Sequence, residues 1–433
     1  MLNRLDLRGV DDVRSHLPRP EQRGEAPVDA VRQILADVRE RGDAAIVDLT
    51  ERLDGVRVEL PRVPREVLDA ALDAAPAPLL DALTAARDSI QNFHEAQRRP
   101  EHRYERDGVV VAARSVPVDR AGIYVPGGRA AYPSTVLMTA VPARVAGVAE
   151  IALCVPPDRE TGVIAGPTLA AAALAGVDEV YAIGGAQAIA ALAYGTESID
   201  PVDVIAGPGN IYVAVAKREV AGVVGVASAF AGPSEVVVVA DETTPPVFAA
   251  VDVIVQAEHG PDGLAWLITW SDDAADAIDD ALGELVAQAP RRADIEATLR
   301  SGGWLALVDG PEQAIEVANL IAPEHLQLMS ADAHELAPRV KNAGAVFCGA
   351  FAPASIGDYI AGPSHVLPTH GTARFAGALG VDDFVKPMHT ISLGRAAFEK
   401  VAPFVETLAE AEGLEAHADS IRLRRYASWQ EPS

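Results

Sequence analysis

Apolar residues recur along this chain with two different periods, and the change of period divides it. Between residues 27 and 103 the spacing is helical. Val28, Val31, Ile34, Leu35 and Val38 share one face, Val47 and Leu49 follow, and a later stretch covers 85–94. A polar segment, 98–106, closes that region. From Val109 short apolar runs take over, and 109–112 and 121–125 read as strands. Strands at 150–155, 179–183 and 202–206 then alternate with helices at 165–175, 186–194 and 211–220. A second alternating unit begins with a strand at 235–240. It continues through helix 248–258, strand 265–269, helices near 275–287 and 292–299, strand 304–308, helix 312–321 and strand 345–348. Short buried strands between Ala-rich helices predict an α/β protein with mostly parallel sheets covered on both faces. The two units have similar length, although no residue-level repeat relates them. After Pro387 the chain turns helical again over 396–409 and ends near the basic run Arg422-Leu423-Arg424-Arg425. The pattern divides the chain into an N-terminal helical segment (1–108), a first α/β unit (109–233), a second (234–380) and a C-terminal helical tail (381–433). That tail is too small to form a core alone, so it is expected to pack on another domain or subunit.

Composition narrows the function classes. The 433 residues are 49 % hydrophobic and 23 % charged, with a net charge of −26 and a pI near 4.7. Such a surface repels nucleic acid and anionic membranes, so neither is expected as a partner. An anionic cofactor must be held by local donors, such as helix N-termini, against the long-range field. The only cysteines, Cys154 and Cys348, sit in apolar runs and read as free thiols of a reducing compartment. The start, Met1-Leu2-Asn3-Arg4, lacks the apolar core of a secretion signal. The longest apolar stretch, 223–240, is interrupted by Gly225, Pro233 and Glu235 and does not read as a membrane span. A cytoplasmic protein is expected.

Four polar clusters carry candidate chemistry: Gln256-Ala257-Glu258-His259, Glu324-His325, Asp358 with His365, and Glu412 with His417. Gln256 and His259 are three apart near a predicted helix end, so they share a face that Gly260-Pro261 leaves open. Alone, that spacing also suits a capping or surface histidine. Asp358 and His365 lie among Gly and Pro residues in what reads as a tight loop after strand 345–348, where α/β proteins place functional groups. A simple turn with a capping Asp explains that loop equally well. Glu324 and His325 form an adjacent carboxylate and imidazole, suited to moving protons near neutral pH or to a structural ion pair. In isolation His417 is an exposed histidine near a helix end. Together, Gln256, His259, Asp358 and His417 offer two imidazoles and two oxygen donors, a set suited to Zn²⁺. Gly-rich turns at Pro126-Gly127-Gly128, Gly184-Gly185-Ala186-Gln187 and Gly207-Pro208-Gly209-Asn210 stand at strand-to-helix junctions. Each presents backbone N–H groups to an anionic ligand, and none fits G-x-G-x-x-G. Singly they are packing turns; three in one unit point to an anionic ligand or dinucleotide.

Read together, these segments resemble the histidinol dehydrogenase family. The likeness spans nearly the whole chain and rests on long strings. They include residues 122–128, Gly207-Pro208-Gly209-Asn210 through Lys217, Ala231-Gly232-Pro233-Ser234-Glu235, Gln256 through Pro261, Ala322-Pro323-Glu324-His325-Leu326, and His365-Val366-Leu367-Pro368-Thr369. The resemblance implies two incomplete Rossmann-like units with parallel-type sheets, flanked by helical N- and C-terminal segments. It implies two successive NAD-dependent oxidations of L-histidinol, through the aldehyde, to L-histidine. Gln256, His259, Asp358 and His417 are then the ligands of one Zn²⁺ per subunit, and Glu324 and His325 the catalytic acid/base residues. Ser234, Gln256, His259, His325, Asp358, His365, Glu412 and His417 contact substrate, while Tyr124, Gln187 and Asn210 line the NAD site. The resemblance further implies a homodimer of intertwined subunits, with the C-terminal ligand coming from the partner.

Two other classes use some of the same features. A zinc hydrolase would employ Glu324 to activate metal-bound water, but it needs no nicotinamide pocket and leaves the Gly-rich turns unexplained. A two-lobed small-molecule binder accounts for duplicated units but not for a Glu-His pair beside metal-ligand residues.

Overall fold

The structure, a computed structural model, describes residues 1–18, 26–59, 61–127, 131–227, 234–258 and 263–426. The chain divides into two compact units, residues 1–97 with 118–384 and residues 98–117 with 385–433.

The first unit holds two six-stranded sheets. In one, the order is Arg62–Val63, Glu179–Ala182, Glu150–Val155, Arg120–Tyr124, Val204–Ala206, Gly225–Val226; only the Arg62–Val63 edge is antiparallel. In the other, the order is Asn3–Asp6, Gly303–Leu307, Leu264–Thr269, Glu235–Ala240, His325–Leu328, Ala345–Cys348, parallel throughout. All six residues of Glu235–Ala240 are buried. Val236 and Val238 enter the core on one face of that sheet, and Val237 and Val239 the core on the other. This two-sided burial is why the strand reads as an unbroken apolar run rather than an alternation. On the first sheet, Val31, Ile34, Leu35 and Val38 of helix Val28–Arg41 pack with Ile46 and Leu49 of helix Asp43–Asp54. They join Cys154, Tyr181 and Ile205 from the strands in one core.

The alternating elements predicted between 150 and 348 are present, with ends shifted by a few residues. Both terminal segments are helical as expected, and each also carries strands that periodicity does not show. Strand 109–112 was expected to lead into the first parallel sheet. It belongs instead to Val109–Pro117, the centre of a three-stranded antiparallel sheet in the second unit. Its neighbours there are His102–Arg106, from the region read as helical, and Val385–Leu393, from the tail read as helical. Every residue of His102–Arg106, and eight of the nine in Val385–Leu393, is exposed. No face is hidden from water, so no alternation betrays these strands. Helices Arg395–Ala411 and Glu415–Tyr426 complete the second unit.

Helix Pro133–Ala146 and strand His325–Leu328 were also not foreseen. The helix is buried on nearly all sides and so lacks an apolar stripe. The strand is four residues long and half polar. Cys154 and Cys348 are free, as expected. Among the described residues, no helix is long and apolar enough to cross a membrane.

Candidate active site

Helices that precede strands of the second sheet deliver Gln256, Glu324 and His325 to the amino ends of those strands. Helix Pro311–Ile321 ends on Ala322, which adopts the left-handed conformation and donates its N–H to the Ala318 carbonyl. Pro323 then turns the chain, and Glu324 and His325 emerge as strand His325–Leu328 begins. His325 is 3 % exposed. Its Nδ1 lies 3.1 Å from the Glu235 carbonyl, an acceptor only, so Nδ1 carries a proton. Its Nε2 lies 3.3 Å from Asp358 Oδ1. The neutral ring would face that carboxylate lone pair to lone pair. Burial alone depresses the imidazole, but the hydrogen bond to Asp358 and the Glu324 charge outweigh it and push the pKa up to about 9. Glu324 Oε2 accepts from the Glu235 N–H at 3.0 Å and lies 3.6 Å from His325 Nδ1. Burial raises Glu324 to about 7, against the opposing pull of His325.

Glu235 was quoted in a motif but given no role. Its backbone N–H and C=O hold the two candidate proton carriers together. Its Oε1 accepts from the His370 N–H at 3.1 Å, and its Oε2 is buried without a partner among the described residues. Burial, then the nearby Glu324 charge, push this carboxyl up to about 8. The available signal was an acidic residue opening an otherwise apolar strand.

Asp358 sits on a short helix, Ala354–Tyr359, and not in a loop as the Gly and Pro content suggested. Pro353 opens that helix, and its Gly357 does not break the turn. The Asp358 carbonyl faces His365 Nδ1 at 2.9 Å, which fixes the proton on Nδ1 and leaves Nε2 to accept from Thr135 Oγ1 at 3.0 Å. Burial lowers the His365 pKa, consistent with that neutral tautomer. Thr135, which sequence reasoning missed, belongs to helix Pro133–Ala146, the first helix after strand Arg120–Tyr124 of the other sheet. Hydrogen bonds therefore run from Thr135 through His365 and Asp358 to His325.

Gln256 lies in the last turn of helix Pro246–Ala257. It is 3 % exposed. Ser234, half-buried, directly precedes Glu235. His259, as well as Gly128 of the first Gly-rich turn, falls outside the described residues. His417 and Glu412 are exposed and belong to the second unit. The structure thus brings Glu324, His325, Asp358 and His365 together. Among the described residues, no three His, Cys, Asp or Glu side chains form a metal site by themselves.

Tyr124, Gln187 and Asn210 all stand at carboxyl ends of strands in the first sheet. The Tyr124 hydroxyl accepts from the Gly185 N–H at 3.1 Å, and Gln187 Nε2 donates to Asp54 Oδ2 at 3.2 Å. Asn210 caps helix Ile211–Val220, accepting from the N–H groups of Tyr212 and Val213. From the same helix, buried Lys217 donates to the Gly207 carbonyl, tying both ends of the 207–210 turn to one element. Gly207 has φ of +107°, and a Cβ there would lie 2.1 Å from the Tyr124 carbonyl oxygen, so only glycine closes this turn. Burial pulls the Lys217 ammonium down to about 7.

Comparison with known proteins shows the family. A family profile described as histidinol dehydrogenase matches residues 17–425. Histidinol dehydrogenase of Parasynechococcus marenigrum is 50 % identical over 392 residues, covering 90 % of this chain and 89 % of that one. The Thermobifida fusca protein of the same name is 46 % identical over 430 residues, 98 % of each chain. The crystal structure of histidinol dehydrogenase from Elizabethkingia anophelis superposes with a TM-score of 0.93 at 34 % identity, over 98 % of both chains.

Proposed function

Because the chain belongs to the histidinol dehydrogenase family, NAD-dependent oxidoreductases of the last steps of histidine biosynthesis, we infer how its residues divide that work. The reading is a four-electron oxidation of L-histidinol through L-histidinaldehyde to L-histidine, with two NAD⁺ reduced and one Zn²⁺ per subunit. Family membership removes the hydrolase and the non-enzymatic binder. The observation that carries the assignment of roles is the buried network of Glu324, His325 and Asp358.

The residues fit a zinc ion. Burying an amide is costly unless its polar atoms are engaged, and Gln256 is 3 % exposed in the last turn of its helix, where a metal ion would engage its oxygen. Gln256, His259, Asp358 and His417 would hold the ion, with two oxygen and two nitrogen donors. When bound, Zn²⁺ supplies a positive charge that orients the imidazole and amine of the substrate. Ser234, His365 and Glu412 complete the substrate contacts. Tyr124, Gln187 and Asn210 line the pocket for NAD, which supplies the hydride acceptor.

In the first oxidation His325 takes the alcohol proton. Its Nδ1–H is committed to the Glu235 carbonyl, so Nε2 is the accepting atom. In the second, Glu324 takes a proton from the water that attacks the aldehyde; its pKa of about 7 suits that exchange. His325, having released the first proton to solvent, then takes a hydrate O–H proton at Nε2 as the second hydride leaves.

The protein works as a cytoplasmic homodimer with shared sites. Support comes from the second unit, where Phe404, Leu408, Leu423 and Ile391 are all more than half exposed and His417 is exposed as well. Mixing a His417→Ala chain with a Glu324→Gln chain restores partial activity if sites are shared. Verified heterodimers without recovery contradict sharing.

The reaction itself is tested by counting NADH from absorbance at fixed L-histidinol with Zn²⁺ present. Two NADH per histidine, lost in Glu324→Gln and His325→Ala, are expected. No NAD reduction with histidinol and zinc would sink the reading.

A further inference from the structure

Asp54 ends helix Asp43–Asp54, where the helix dipole disfavours a carboxylate, so helix stability does not account for it. The helix packs on the first sheet through Ile46 and Leu49 and delivers Asp54 to the turn after strand Glu179–Ala182. Gly184 in that turn has no room for a side chain. A Cβ there would lie 2.6 Å from Pro156 Cβ and 3.3 Å from Asp54 Oδ1. Asp54 Oδ2 accepts from Gln187 Nε2 at 3.2 Å, and Gly185 donates its N–H to the Tyr124 hydroxyl at 3.1 Å. Gln187 is fully buried, and its Oε1 has no partner among the described residues. Asp54, Gln187 and Tyr124 therefore converge on one turn, at the carboxyl ends of the strands. Burial raises the Asp54 carboxyl, and the charge of Arg159, whose guanidinium donates to the Leu53 carbonyl at 3.4 Å, opposes that rise.

We propose that Asp54 sets the cofactor preference of this enzyme: its carboxylate accepts hydroxyls of the adenosine ribose of NAD and excludes the 2′-phosphate of NADP. The inference rests on the reading that Tyr124, Gln187 and Asn210 line the NAD pocket. An ionised carboxylate is acceptor-only, and one contact to Gln187 leaves lone pairs for vicinal hydroxyls. The same lone pairs repel a phosphate dianion. The arrangement matches the general use of an acidic side chain against the ribose 2′-hydroxyl in dinucleotide sites, reached here from a helix end instead of a strand end. With the Asp54 carboxylate removed, the Arg159 guanidinium held at the adjacent Leu53 carbonyl is suited to a phosphate.

The test is the dissociation constants of NADH and NADPH, read by fluorescence titration without substrate, together with kcat/KM for NAD and for NADP measured with zinc-loaded enzyme and saturating L-histidinol. Asp54→Ser shifts the NADP-to-NAD ratio of kcat/KM towards NADP by about tenfold or more. Asp54→Asn, which keeps the size of the side chain, shifts it in the same direction by less and serves if the serine variant does not fold. Adding Arg159→Ala to Asp54→Ser removes the gain with NADP. A merely structural Asp54 lowers both cofactors alike, and an unchanged ratio in both single variants overturns the proposal. Gln187→Ala and Asn210→Ala separate the two levels of inference. If neither raises KM for NAD, the pocket assignment falls and the proposal with it; if both do while the Asp54 ratio stays fixed, only the role of Asp54 falls.

Discussion

Numbered by their order in the chain, the central strands of the first sheet run 3-2-1-4-5, and so do those of the second, each with one extra strand beside strand 3. The two sheets nonetheless present their candidate functional groups at opposite ends. In the first, Tyr124, Gln187 and Asn210 cluster where strands end and helices begin. In the second, Gln256, Glu324 and His325 cluster where helices end and strands begin. The difference follows the direction of backbone dipoles. Helix N-termini offer N–H groups and favour the anionic parts of a dinucleotide. Helix C-termini and strand starts offer carbonyls, which favour cations; the Glu235 carbonyl on the His325 imidazole is one instance. Thr135 joins the two ends, because its helix follows a strand of the first sheet and its hydroxyl meets His365. An NAD-dependent oxidoreductase needs both environments, and in the proposed assignment the duplicated topology supplies one from each copy.

The sharpest way to break this division is to remove the base at the carbonyl-rich end. His325→Ala is expected to lower kcat by about 10²–10⁴-fold while leaving the dissociation constant for NAD nearly unchanged. A large loss of NAD affinity would mean the two ends are not separate. Glu324→Gln removes a negative charge that favours the imidazolium, so the His325 pKa falls from about 9. The ascending limb of the first hydride transfer, followed in a single turnover, then moves to lower pH. A limb that stays in place or moves up contradicts the charge coupling.

Next in size is Gln256→Ala, expected to reduce zinc content and activity together, by about tenfold in metal affinity. Full occupancy by elemental analysis would remove Gln256 from the ligand set. Thr135→Val probes the joint between the ends. It deletes the donor to His365 Nε2 at constant volume and is expected to raise KM for histidinol by about tenfold, the worth of about 1–1.5 kcal/mol. An unchanged KM would make the joint structurally incidental. The smallest effect belongs to Asn210→Ala at the donor-rich end. Loss of the cap costs about 1 kcal/mol of stability, read as a lower Tm, and KM for NAD rises with zinc content intact.

These two ends differed in how far the sequence revealed them. Elements buried on one face, such as Val28–Arg41, or on both, such as Glu235–Ala240, leave a periodic or continuous apolar trace, and their strand and helix types were legible. The exposed strands His102–Arg106 and Val385–Leu393 leave none, and the helix carrying Thr135 is apolar all round. Site residues were legible where chemistry is dense in sequence, as in Glu324-His325. Glu235 acts chiefly through its backbone, and Asp54 lies 133 residues from the glutamine it meets. Neither property has a signature in spacing. The placement of Asp358 on a helix reverses the loop expected from its glycines and prolines, because Pro353 initiates a helix as readily as it marks a turn.

The most direct test of the opposite-ends account is a crystal structure of the zinc-loaded enzyme with NAD and L-histidinol. The account predicts dinucleotide density against Tyr124, Gln187 and Asn210, with substrate beside His325 and His365. Dinucleotide density lying instead along the strand starts beside Glu324, with the turns at 184–187 and 207–210 untouched, would contradict it.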